Sequence, residues 1–248
     1  MEKNISLLCA GAPQSGIVAC IDAYCSDTGF KFYASFSTSP EIKAVMEGID
    51  EKPDIVVAPK ALMARFRNRK LVDADTCIPV GDVEVGVVVR TGVKKPNIDS
   101  PADVREAILK ADCVLYNEAT SGIYVQKLIK ELGIANQVKN KTERYPNAAA
   151  LMERVGAGQG NEIGFGQIPA IRRFSGYGVV VVGPLPQELR NTTTYVAAIT
   201  SLEASDDVKG FLEFLEMPTA QRILNTAGIV KVRLTSRVRR SPWKSSRC

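Results

Sequence analysis

The sequence predicts an α/β protein built from two lobes, and three observations carry that expectation. Short apolar runs of strand length alternate with amphipathic helical segments along most of the chain, the pattern of helices packed on mainly parallel sheets. Loops rich in small and hydroxyl residues stand where a strand ends and a helix starts. The 248 residues suffice for two units of about a hundred residues each, and no tandem repeat of solenoid period interrupts them.

In chain order, "ISLLCAG" reads as a strand entering a Gly-Pro loop and a helix from about Ser15 to Cys25. "FKFYASF" is the next strand. After it, Ser39 before Pro40 is the expected cap of a helix. "DIVVAPK" is a short third strand and "ALMARFRNRK" a helix whose basic positions are expected in solvent. "VEVGVVVRTG" is the most β-branched strand, and "SPADVREAILK" repeats the Ser-Pro start with Ser100 and Pro101. A second series follows: strand "DCVLYN", helix "IYVQKLIKELG" stopped by Gly133, strand and loop "QVKNKTERY", helix "AAALMERVGAG" and strand "EIGFG". Helix "QIPAIRRF", strands "YGVVVVG" and "TTTYVAAITS", and helices "DDVKGFLEFLE" and "TAQRILNTAG" complete the body.

Composition excludes several chemistries. With no histidine, a Ser-His-Asp or Cys-His nucleophile, an imidazole base and a His-ligated metal are all ruled out within the chain. The six cysteines show no C-x-x-C spacing, so neither a metal nor another cofactor is expected. Cys9 and Cys113 read as buried small hydrophobes. Seven of the 32 basic residues fall in 231–248, leaving 25 bases against 27 acids in residues 1–230. The body is therefore near neutral. The tail reads as a solvated, disordered segment, and no nucleic-acid partner is expected. No run is long and apolar enough to insert in a membrane, and the start shows no signal peptide.

In open α/β sheets, ligands lie beyond the carboxyl ends of strands. That rule selects four loops: Ala10 to Ser15, Ser37 to Ser39, Ala119 to Gly122 and Gly164 to Gln167. Their hydroxyls and free N–H groups at helix starts suit an anion. Gly11, Ser37 and Gly122 belong to this set on position alone.

The segments "SLLCAGAPQSGI", "SFSTSPEIKAVMEG", "DIVVAP", "SGIYVQKLIKELG" and "IGFGQ" follow an order that resembles the molybdate-binding-protein-like solute receptors. These are type 2 periplasmic binding proteins of ABC transporters. The resemblance runs from about Ile5 to Val230 and includes "VVVVGPLPQEL" and "TTTYVAAIT". It implies two lobes hinged by crossover strands, residues 1–82 with 192–230 and residues 83–191, apart from a tail at 231–248. It also implies a monomer, a periplasmic location (cytoplasmic being the alternative, as no leader is visible) and a permease as partner.

By position the resemblance implicates Ala12, Ser39, Ser121, Gly164 and Phe165 in ligand binding. Alanine at 12 and phenylalanine at 165 replace two hydroxyls usual in such receptors, each worth about 1–3 kcal/mol to a tetrahedral oxyanion. Gln14, Thr38, Tyr124 and Gln167 would suit a larger organic acid instead. The alternative is a cofactor-independent enzyme resembling aconitate isomerases, acting on an unsaturated tricarboxylate. Its proton-transfer candidates are Glu118, Lys60 and Tyr124. Each also has a structural reading: loop carboxylate, solvated helix start and interface packing, respectively.

Overall fold

The computed structural model describes residues 4–49, 51–201 and 205–230; the basic tail lies outside the described residues. Three strand–helix units open the chain: β1 (Asn4–Ala10) and α1 (Gln14–Thr28), β2 (Lys31–Ser37) and α2 (Ser39–Glu47), β3 (Ile55–Pro59) and α3 (Lys60–Asn68). The long strand β4 (Ile78–Arg90) leads to α4 (Pro101–Lys110), β5 (Val114–Asn117), α5 (Thr120–Glu131), the short α6 (Ala135–Val138) and β6 (Thr142–Tyr145). Then come α7 (Ala148–Gly156), β7 (Ile163–Gln167), α8 (Ile168–Arg173), β8 (Val179–Pro184), β9 (Thr192–Ile199), α9 (Asp206–Glu216) and α10 (Pro218–Thr226).

The strands run in the order β2-β1-β3-β9-β4-β7-β5-β6, with β8 also on β4. Pairs β1–β2, β1–β3, β5–β6 and β5–β7 are parallel, which a crossover connection through a helix makes possible. The strands linking the halves are antiparallel: β9 to β3 and β4, and β4 to β7 and β8. The sheet is therefore mixed.

Strand β4 begins five residues before the β-branched run because Pro79 and Gly81 disguise its start. The register shifts there as a bulge. Its first half pairs with β9 and its second half with β7 and β8. The apolar cores divide at the same point. Val83 belongs to the core that holds Ile5, Leu7, Val56, Phe66 and Phe211, whereas Val85 belongs to the one that holds Val104, Val114, Leu128 and Phe165. A third cluster, around Val88, Leu115 and Met152, backs the second half. Each fully buried side chain of this size contributes about 1.5–3 kcal/mol. The chain crosses back at Asn191, whose carbonyl accepts the Val85 N–H.

Local signals fall where the sequence places them in several cases. Ser100 accepts the Asp103 N–H at the start of α4, and Gly133 has φ 69 just past the end of α5. One differs: Thr38, not Ser39, is the cap of α2, and Ser39 is its first helical residue. The Thr38 N–H and hydroxyl both donate to Glu41, at 2.7 and 2.8 Å. A carboxylate three residues on supplies the acceptor that makes this register the better one.

Candidate functional site

A cleft of about 350 Å³ opens between the two cores. One wall comes from the ends of β1 and β2: Gly11, Ala12 and Gln14, then Ser37, Thr38 and Ser39. The Gly11 N–H donates to the Ser37 carbonyl at 3.1 Å, tying these loops together. The facing wall comes from β5 and β6, with Asn117, Thr120 and Ser121 at one helix start and Asn147, Ala148 and Ala149 at another. Tyr195 of the crossing strand β9 and one face of α8 also line it. Helices α1, α2, α5 and α7 therefore all direct their N-termini into one space. Each dipole favours an anion by about 0.3–1 kcal/mol.

The side chains on these walls are held as donors. The Asn117 oxygen accepts from the Ala119 N–H (3.0 Å) and the Ser121 hydroxyl (3.3 Å). The Asn147 oxygen caps α7 by accepting the Ala150 N–H at 3.0 Å. The Tyr195 hydroxyl donates to the Gln167 oxygen at 2.8 Å. With each amide oxygen engaged, the NH₂ groups are what these residues offer the cleft. Gln167 is 7% exposed, yet its Nε2 has no partner among the described residues, and nor does Nε of Arg173.

Among the described residues, Arg173 is the sole cation on the walls and Glu41 the sole carboxylate. The guanidinium sits 4.4 Å from the Phe174 ring centre. Burial lowers its pKa, but an arginine keeps its proton. The Thr38 N–H and hydroxyl hold the Glu41 carboxyl below the ordinary range, so it is ionised. Burial pushes the Tyr195 phenol upward.

Of the residues expected here, Gly11, Ala12, Gln14, Ser37, Thr38, Ser39, Ser121 and Gln167 line the cleft. Six others do not. Gly164 and Phe165 lie within β7, which runs on to Gln167 rather than stopping in a loop. Phe165 is fully buried, and Val88 fills the space beside Gly164. Gly122 is packed so tightly that a Cβ there would stand 1.5 Å from the Asn117 carbonyl oxygen. The Tyr124 hydroxyl donates to the Leu189 carbonyl at 2.7 Å, a tie within the second half rather than packing between lobes. Glu118 pairs with Arg144 at 3.1 Å, and Lys60 is an exposed first residue of α3.

Residues missed from the sequence include Asn117, Asn147, Arg173 and Tyr195. Asn147, after Pro146 and before an apolar run, carried a helix-start signal. Gln167, Ala170 and Arg173 recur every third residue, the spacing of one helix face. Tyr195 had no local signal.

Fold and cleft together define a two-lobed α/β binding scaffold of the type 2 periplasmic-binding-protein class. The family model for bacterial extracellular solute-binding proteins matches residues 5–230, and the chain belongs to that family. This supports an extracytoplasmic location. The periplasmic molybdate-binding protein of Azotobacter vinelandii superposes with TM-score 0.71 at 12% identity, over 92% of this chain and 100% of that one. The L-phospholactate-bound PEB3 structure, a Campylobacter jejuni protein, does so with TM-score 0.69 at 14% identity, over 92% and 100%. An aconitate isomerase from a Pseudomonas species is 21% identical over 237 residues, 92% of this chain and 88% of that protein. The scaffold is more consistent with a binding protein than with an enzyme.

Proposed function

We propose that the cleft binds a small organic anion with more than one acidic group, and that the protein presents it to an ABC-transporter permease from the periplasm. The observation that carries this reading is the pair of unpartnered donors, Gln167 Nε2 and Arg173 Nε, on one wall of a cleft fed by four helix N-termini. Buried donors without acceptors cost about 1–3 kcal/mol each, and an anion in the cleft removes that cost.

The ligand is an organic acid rather than a bare tetrahedral oxyanion. About 350 Å³ suits a small organic molecule, and Ala12 and the buried Phe165 supply no hydroxyl. Ser39 and Gln14 reach the anion from one side, and the NH₂ groups of Asn117 and Asn147 from the other. The phospholactate bound to PEB3 is an acid of this kind.

The aconitate isomerase relative favours a second reading, proton transfer on an unsaturated tricarboxylate. Glu41 is ionised and engaged by Thr38, while the Tyr195 phenol is pushed up, so neither is tuned as a base near neutrality.

A thermal-shift screen of oxyanions and of di- and tricarboxylates tests the binding reading. A true ligand at a hundredfold excess over its Kd stabilises the fold by about 2.7 kcal/mol. Arg173→Gln should weaken that ligand by about tenfold or more; unchanged affinity would remove the arginine from the site. NMR observation of cis-aconitate incubated with the protein decides the second reading, since formation of the trans isomer would overturn pure binding.

A further inference from the structure

A second hollow of about 420 Å³ lies in the other face of the same half of the molecule, between α5, α6 and the edge of the sheet. Its walls are Gln126, Ile129 and Lys130 from α5, Ala135 and Val138 from α6 with Lys139 just after it, and Tyr116, Thr142 and Arg144 from β5 and β6. Among the described residues, three cations and no carboxylate line it, in a body that is otherwise close to neutral. Ile129, Val138 and the Tyr116 ring are buried and form an apolar floor.

Tyr116 is the distinctive residue. The residue is 5% exposed, and its hydroxyl, which solvent reaches, makes no hydrogen bond to the protein among the described residues. Arg144 stands directly opposite it in the parallel β5–β6 register, so phenol and guanidinium share one face of the sheet. Among the described residues Arg144 pairs with Glu118 alone, an exposed partner outside the hollow. Asn117, the next residue along β5, faces the cleft, because successive strand residues point opposite ways.

We propose that this hollow is a second ligand site, separate from the cleft, for a small amphipathic carboxylate. The apolar body of the ligand packs on Ile129, Val138 and the Tyr116 ring. Its carboxylate accepts from the Tyr116 hydroxyl and the Arg144 guanidinium, which releases Glu118, while Lys130 and Lys139 flank the mouth. A phenol hydroxyl with no protein acceptor, opposite an arginine and above an apolar floor, is matched by a ligand with one anionic end and one greasy end.

The test is titration of ¹⁵N-labelled protein with phenylacetate, read by NMR. Saturable shifts at Tyr116, Ile129, Lys130, Val138 and Thr142 to Arg144 are expected, with neutral phenylacetamide about tenfold weaker. Arg144→Gln should weaken binding by about tenfold and Tyr116→Phe by about fivefold. If Tyr116→Phe does not fold, the exposed pair Lys130→Gln with Lys139→Gln should still weaken phenylacetate. Shifts confined to Gly11, Ser37 and Arg173, no saturation by about 10 mM, or equal binding of acid and amide would each overturn the site. So would the same shifts produced by a penta-glutamate peptide but not by phenylacetate, which would make the hollow a protein-docking surface.

Discussion

Ser39 and Thr38, adjacent in the chain, divide two tasks that a hydroxyl can perform. Thr38 caps α2 through Glu41, whereas the Ser39 hydroxyl makes no hydrogen bond among the described residues and lies on the cleft wall. Thr38→Ala should therefore destabilise the fold by about 1 kcal/mol. Ser39→Ala should leave the melting temperature nearly unchanged and weaken the ligand. Paired melting and titration experiments check both, and equal losses of stability and affinity in Ser39→Ala would return it to a purely structural role. Arg173 differs from both, since its charge has no carboxylate partner among the described residues. Its value lies in what it leaves unsatisfied.

At the scale of elements, α2 and α3 are joined through Glu47, which accepts from Arg65 (Nη2 at 3.1 Å) and pairs with Arg69 at 2.8 Å. These arginines are thus ion-paired as well as exposed, not simply solvated. The hydrogen bond from Arg65, followed by that from Arg69, brings the Glu47 carboxyl down to about 2. A carboxyl with a depressed folded-state pKa stabilises above its unfolded value, about 4.3, and loses that contribution as pH falls toward the folded one. The melting-temperature gap between the wild type and Glu47→Gln should be present at pH 6 and close between about pH 4.3 and 2. A gap constant over that range would show the ion pairs to be irrelevant to stability.

Most elements were legible in the sequence because each carries its own local signal. The helix "DDVKGFLEFLE" is observed over Asp206–Glu216, with Val208, Phe211, Leu212 and Leu215 on its buried face. Strand β1 matches its apolar run, and Ser100 and Gly133 punctuate α4 and α5 as their chemistry requires. The misreadings fall where local and tertiary preferences part. "GFGQ" resembles a glycine loop, yet it is strand, because its glycines let β7 pack closely against Val88 and Met152. "QVKNKTERY" gives most of its length to α6 and a tight turn, leaving only Thr142–Tyr145 as strand.

At the scale of the whole molecule, two cores meet along β4 and the return of the chain at Asn191. Both faces of the cleft contribute donors, so an anion that touches both binds the closed arrangement more tightly than an open one. Its differential affinity sets how far it can shift the balance. Small-angle scattering with and without the ligand from the thermal screen should show a smaller radius of gyration on binding. An unchanged radius together with tight binding would mean that the lobes do not move.

The sequence by itself determined the alternation of strands and helices, the caps, the lack of imidazole chemistry and the loops of the first wall, because these depend on residues within a few positions of one another. Only the tertiary structure decided that Asn147, Arg173 and Tyr195 share one cleft, that Tyr124, Gly164 and Phe165 stand outside it, and that Tyr116 faces a second hollow. A site between two lobes is defined by distances across the fold, and spacing along the chain carries no record of which donors are left without an acceptor.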